Sequence, residues 1–234
     1  MEIQTHEVHI WTASTDWTPE QLLQGYQILS PREREKADRY LVEHARRQHI
    51  ASHVVLRQIL SQYQNCFPDA IQFSYAQHGK PSLEPATGVE FNLSHSGQRA
   101  VIAVTRGQPL GVDIELHDPK VHVKDLAERF FAPAEAQELL EQESSSQLRA
   151  FYRLWVLKEA FIKGTGEGLS FGLSNFIVSL KPKNRDALLS IKGSVNLARH
   201  WTLGNILEDE QDYSAALAVQ GSVSNIQFYR WPPQ

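Results

Sequence analysis

Twice along this chain a helical pattern is followed by short alternating strands, and no other feature constrains the fold as strongly. In the first half, Ser30-Pro31-Arg32-Glu33 opens a helix, with Ser as cap, Pro in the first position and Glu completing a capping box. Ile50, Ala51, Val54, Val55 and Ile59 then keep the helical period up to Cys66-Phe67-Pro68. Strands are expected at Ile71–Tyr75, Phe91–Ser94 and Ala100–Val104, punctuated by turns at Gly79-Lys80-Pro81 and Ser96-Gly97. Leu110–Leu116 opens the second half. Helices follow near Val123–Phe131, after Pro133, and from about Gln147 to Lys163, where Gly164 is expected to end the helix. The remaining strands are expected at Asn175–Leu180, Leu188–Ile191, Trp201–Leu203, Tyr213–Val219 and Ile226–Tyr229. Short turns between strands favour antiparallel pairing and an α+β architecture. Arg99–Val104 and Tyr213–Val219 read as equivalent strands of two related halves, residues 1–108 and 109–234.

The 234 residues suffice for one large domain or two small ones. The longest apolar runs reach about half a dozen residues, against the ~20 that a membrane helix needs. Met1-Glu2-Ile3-Gln4 shows neither a basic nor an apolar leader region, so a soluble, cytoplasmic protein is expected. Cys66 is the single cysteine, which excludes an internal disulfide and a cysteine-rich zinc cage. The net charge of −4 argues against a general nucleic-acid binder. Locally the balance reverses: Arg32, Arg34, Lys36, Arg39, Arg46, Arg47 and Arg57 outnumber Glu33, Glu35, Asp38 and Glu43, with His44, His49 and His53 among them. This stretch is either a solvated helix face of alternating charge or the seat of an anionic partner.

Three constellations can carry chemistry. In Gly111-Val112-Asp113-Ile114-Glu115, residues two apart share a strand face, so Asp113 and Glu115 project together. Two such carboxylates either sit on an exposed strand or hold a hard cation such as Mg²⁺ between them. In the helix FYRLWVLKEAFIK, Trp155, Glu159 and Lys163 recur every four residues, as a simple i, i+4 ion pair or as a further metal carboxylate with a phosphate contact. Finally, Ser94 and His95 lie in Phe91-Asn92-Leu93-Ser94-His95-Ser96-Gly97. Adjacent strand residues face opposite ways, so they cannot readily form a nucleophile–base pair, and a strand-to-turn end suits phosphate binding better. A histidine packed beside a turn is the plain alternative. Gly164-Thr165-Gly166-Glu167-Gly168 follows a helix and is no dinucleotide loop, and neither a P-loop nor zinc-type histidine spacing occurs.

Taken together, and in this order, Gly79-Lys80-Pro81, the Phe91–Gly97 segment, Gly111–Glu115 and Trp155–Lys163 resemble the 4′-phosphopantetheinyl transferases. The match is to the larger, monomeric, broad-specificity type (surfactin-synthetase-activating). Ser30–Lys36 and Phe130–Glu135 also look like family segments. The resemblance implies two similar α+β halves related by a pseudo-twofold, with the active site in the cleft between them. It implies transfer of the phosphopantetheine arm of coenzyme A to a serine of an apo carrier protein, releasing adenosine 3′,5′-bisphosphate. Carried over residue by residue, Asp113, Glu115 and Glu159 would hold Mg²⁺, with Mn²⁺ as the alternative. Glu159 would be the general base, with Lys163 and Asp113 completing the catalytic set. Lys36, Asn92, Ser94 and His95 would contact coenzyme A, and Gly79, Lys80 and Pro81 would cradle its adenylate end. Some relatives carry a second basic residue where this chain has Glu33 and Arg34, so the 3′-phosphate would lean on Arg34 or on the Arg46–His49 region. The expected partners are acidic, helical carrier proteins, with no nucleic acid, no membrane and a monomeric state. The rival readings are a non-catalytic coenzyme A or nucleotide sensor and a Mg²⁺-dependent nucleotide hydrolase.

Overall fold

A computed structural model of the chain describes residues 1–181 and 185–232. In chain order the first part holds β1 (Glu7–Ser14), α1 (Pro19–Tyr26), α2 (Pro31–Asp38), α3 (Glu43–Gln64), β2 (Gln72–Tyr75), β3 (Pro81–Glu84), β4 (Val89–Ser96) and β5 (Arg99–Arg106). The second holds β6 (Leu110–Leu116), α4 (Val123–Phe130), α5 (Pro133–Leu140), α6 (Ser144–Thr165), β7 (Phe176–Val178), β8 (Leu188–Ile191), α7 (Val195–Ala198), β9 (Trp201–Ile206) and β10 (Tyr213–Gln220). The last strand is β11 (Asn225–Trp231). The fold is α+β, in two compact units: Met1–Gly107 with Asn225–Gln234, and Gln108–Ser224.

Unit 1 is built on the sheet β11-β1-β5-β4, in which β1 pairs with β11 in parallel and all other pairs are antiparallel. The α3 residues Val55, Leu56, Ile59 and Leu60 form one core with Trp11, Phe91, Ile102 and Val104 of the sheet. The expected capping box is present: Ser30 accepts from the Glu33 backbone, and the Glu33 carboxylate accepts from the Ser30 N–H. That carboxylate also meets Arg57 of α3 in a buried ion pair at 2.7 Å, which staples α2 to α3. The division expected from sequence put the whole C-terminal stretch from 109 onward in the second half. The chain instead returns to unit 1 through β11, a parallel pairing that no local turn announces.

Unit 2 is built on the antiparallel sheet β6-β10-β9, with β7-β8 as a separate pair. The α6 residues Leu154, Leu157, Ala160 and Phe161 pack in one core with Ala216, Ala218 and Leu203 of the sheet. β5 and β10 each have two sheet neighbours, and both show the same run of six buried residues between a partly buried start and an exposed end. That supports the reading of Arg99–Val104 and Tyr213–Val219 as equivalent strands. Gly164 does not end α6; the helix continues to Thr165, and Gly166 caps it with a left-handed backbone, φ 75°.

Candidate functional site

Gly111, Asp113 and Glu115 alternate onto one face of β6. A Cβ on Gly111 would fall within 3.0 Å of the Ala160 carbonyl oxygen, the Gly164 nitrogen and the Lys163 carbonyl carbon, so this face is turned to the α6 backbone. Glycine is required because the helix lies directly on the strand. The next residue on the face, Asp113, is 2% exposed, and the Lys163 ammonium donates to its Oδ1 at 2.6 Å. Lys163 thus bridges to β6 rather than serving only its own helix at i, i+4. Glu159 lies one turn earlier on α6. Burial pushes its carboxyl pKa up, the neighbouring Asp113 charge pushes it further, and Lys163 pulls the other way. Glu115 is partly buried and stands opposite Ser214 of β10.

Two carboxylates sharing one ammonium leave an excess of negative charge, and their donors are all oxygen. That chemistry fits a hard divalent cation, since Mg²⁺ is commonly held by one or two carboxylates and completes its shell with water and phosphate. Among the described residues no group of three or more His, Cys, Asp or Glu is gathered closely enough to hold a metal ion. The Lys163 ammonium lies against Asp113.

In unit 1, Ser94 and His95 lie on opposite faces of β4, as strand alternation predicts. His95 shares a face of β4 with Phe91 and Leu93, which belong to or pack against the core built with α3. Asn92 and Ser94, both buried, alternate onto the opposite face. His95 instead has α3 and α2 for company: its charge and that of Lys36 both act on His53. Lys36 is exposed in the last turn of α2. Gly79 sits at φ +82° in the β2–β3 turn, where its N–H donates to the Ala76 carbonyl, and Pro81 starts β3. Burial lowers the Lys80 pKa, opposed by Glu90 of β4.

The basic stretch proves largely structural. Arg57 also donates to the Pro68 and Ile71 carbonyls, Arg34 to those of Leu29 and Gln27, and Arg47 to that of Trp17. Arg39 pairs with Glu35, and Arg46 with Asp38. Arg34 is thus committed to backbone. Arg47, His44 and Gln48 line an open cavity of about 370 Å³ beside the Gly97 turn.

Sequence reasoning also missed a buried ion pair of unit 2. Lys158, fully buried, donates to Glu135 at 2.8 Å and to the carbonyls of Leu173 and Phe176 at 2.8 and 2.9 Å. Glu135 accepts in turn from the Val178 and Ala132 N–H groups. A signal was present: Lys158 falls on the apolar stripe between Leu154 and Phe161, where a cation needs a buried partner.

Two family descriptions cover the chain. Residues 15–107 match "4′-phosphopantetheinyl transferase, N-terminal", and residues 109–218 match "4′-phosphopantetheinyl transferase superfamily". The two matches meet where the chain passes from unit 1 to unit 2. The chain belongs to the 4′-phosphopantetheinyl transferase family, a family of enzymes. It is 34% identical over 240 residues to the protein slr0495 of Synechocystis sp., covering 95% of each chain. It is 31% identical over 237 residues to the 4′-phosphopantetheinyl transferase HetI of Nostoc sp., covering 100% of this chain and 93% of that one. With the 4′-phosphopantetheinyl transferase Sfp of Bacillus subtilis it shares 36% identity over 165 residues, 70% of this chain and 71% of the other.

Proposed function

We propose that this chain transfers the phosphopantetheine arm of coenzyme A to a serine hydroxyl of an apo carrier protein. The observation that carries the reading is the Asp113–Lys163–Glu159 group, set by the contact of α6 on β6 within the segment that matches the superfamily. The serine oxygen would attack the phosphorus that bears the pantetheine arm. The bond to the bridging pyrophosphate oxygen then breaks, and adenosine 3′,5′-bisphosphate leaves. Glu159 would take the serine proton, as a buried carboxylate of raised basicity suits a general base. Lys163 would stabilise the charge that builds on the phosphoryl oxygens. Asp113 and Glu159, with Glu115 as the further carboxylate of the same strand face, would hold Mg²⁺ or Mn²⁺. When bound, that ion neutralises pyrophosphate charge and orients the leaving group.

Unit 1 would supply the nucleotide contacts. Lys36 and His95 would meet phosphate, Ser94 and Asn92 would act from the other face of β4, and Gly79, Lys80 and Pro81 would cradle the adenylate end. For the 3′-phosphate, the cavity beside Arg47 and His44 supports the Arg46–His49 region over Arg34. We place the protein in the cytoplasm as a monomer acting on acidic, helical carriers. No helix among the described residues is long and apolar enough to cross a membrane.

The test is chromatographic: apo carrier, coenzyme A and Mg²⁺ are incubated with the protein, and adenosine 3′,5′-bisphosphate is followed with and without a chelator. Carrier-dependent, chelator-sensitive release supports the reading. Release without carrier would make the protein a hydrolase, and coenzyme A binding without release would make it a sensor.

A further inference from the structure

We propose that His53 is a further phosphate-contacting residue, and that it engages the anion as an imidazolium, so that coenzyme A binding draws a proton from solution. The inference rests on the coenzyme A reading above and adds to it a residue and a proton.

His53 lies on α3, partly buried. Its Nδ1 stands 3.0 Å from the His49 carbonyl oxygen, one turn back. A carbonyl only accepts, so Nδ1 carries the proton, and the neutral ring presents a lone pair at Nε2. The His49 ring, 3.9 Å away between centroids, is fixed in turn by the Glu33 carbonyl, 3.2 Å from its Nε2. The charged groups that act on His53 are Lys36 from α2, His49 from α3 and His95 from β4. None of them is an acid. Glu33 of α2, whose charge acts on His49, is engaged through its Oε2 with Arg57 and the Ser30 cap. Burial and these neighbours hold the free imidazole neutral.

A phosphate reverses that balance. Its oxygens are acceptors, so they cannot bond an Nε2 lone pair, but they bond an Nε2–H strongly. Beside Lys36, His49 and His95, none of which is an acid, a phosphate brings His53 the negative charge that favours its imidazolium. The step balances simply: neutral His53 takes one proton from solvent, and the new Nε2–H donates to a phosphate oxygen.

The experiment is calorimetric titration of coenzyme A into the full chain, without carrier, in buffers of different ionisation heat between pH 6.5 and 8.5. Wild type is expected to take up close to one proton per coenzyme A, with affinity falling about tenfold per pH unit. His53→Gln, which offers an uncharged N–H near the same place, is expected to bind within about tenfold of wild type with no uptake. Ring ¹⁵N shifts of the wild-type complex are expected to show both His53 nitrogens protonated. Absence of uptake, a neutral His53 ring in the complex, or unchanged uptake in His53→Gln would overturn the inference while leaving the transferase reading intact. Failure of the folded wild type to bind coenzyme A at all would overturn both.

Discussion

Lys163 donates to Asp113 across 2.6 Å, joining the last turns of α6 to the middle of β6. The contact exists because Gly111, two residues earlier on the same strand face, has no side chain to hold the helix away. Glu159 is brought beside Asp113 by the same approach, so one glycine sets the spacing of all three charged groups.

Gly111→Ala therefore tests the geometry. The added methyl meets backbone rather than a movable side chain, so α6 has to shift. Overpacking of this kind costs about 1–3 kcal/mol. Thermal unfolding is expected to fall accordingly, and transfer to fall with it. A variant with wild-type stability and rate would contradict the role given to the α6–β6 contact.

Glu159→Gln keeps the shape of the side chain and removes its charge and basicity. Coenzyme A affinity is expected to change little, while turnover drops about 10²–10⁴-fold. Affinity is read by calorimetry and turnover by carrier modification. Near-wild-type turnover would remove Glu159 from the general-base role.

Lys158→Met leaves the Glu135 carboxylate buried opposite an apolar chain. Breaking one partner of a buried pair costs about 3–5 kcal/mol. Urea unfolding of unit 2 is expected to show a loss of that order, because the pair ties α5, α6 and the Leu173–Val178 segment together. A midpoint close to wild type would show that neighbouring packing holds these elements without it.

Acid stability follows from His49. Burial, reinforced by Lys36, lowers its pKa from the ordinary 6.5 to about 4, with the Glu33 carbonyl bond and charge opposing. Between these values the unfolded chain binds the extra proton, so stability rises with pH across the window. The contribution is full above about pH 6.5 and is lost as pH falls towards 4. Melting temperatures over this range are expected to fall less steeply in His49→Gln than in wild type. Equal slopes would assign the acid sensitivity to other groups.

Much of this was legible in the sequence, for identifiable reasons. β6 and β8 fall where the period-2 pattern puts them, and the Ser30 capping box is a local signal that the structure keeps. β1 went unread, and β11 was read without its partner, because their pairing links positions more than 200 residues apart. Gly164 was read as a helix stop from composition. Its true constraint is close packing, since a Cβ there would meet the Trp201 ring within 3.0 Å and a side chain would also crowd Gly111. At the site, strand alternation put Asp113 and Glu115 on one face and separated Ser94 from His95. The reach of Lys163 to Asp113 was not legible, because an i, i+4 glutamate is always available on paper and only the helix–strand contact brings Asp113 into range. The carbonyl partners of Arg57 at Pro68 and Ile71 were not legible either, because tertiary contact sets them.

The most direct measurement is the intact mass of an apo carrier protein after incubation with this protein, coenzyme A and Mg²⁺, with a chelated control. The expected result is a metal-dependent gain of one phosphopantetheinyl group, located on a serine by fragmentation and absent with Glu159→Gln. An unchanged carrier mass across several unrelated carriers, under conditions where coenzyme A binds, would contradict the account.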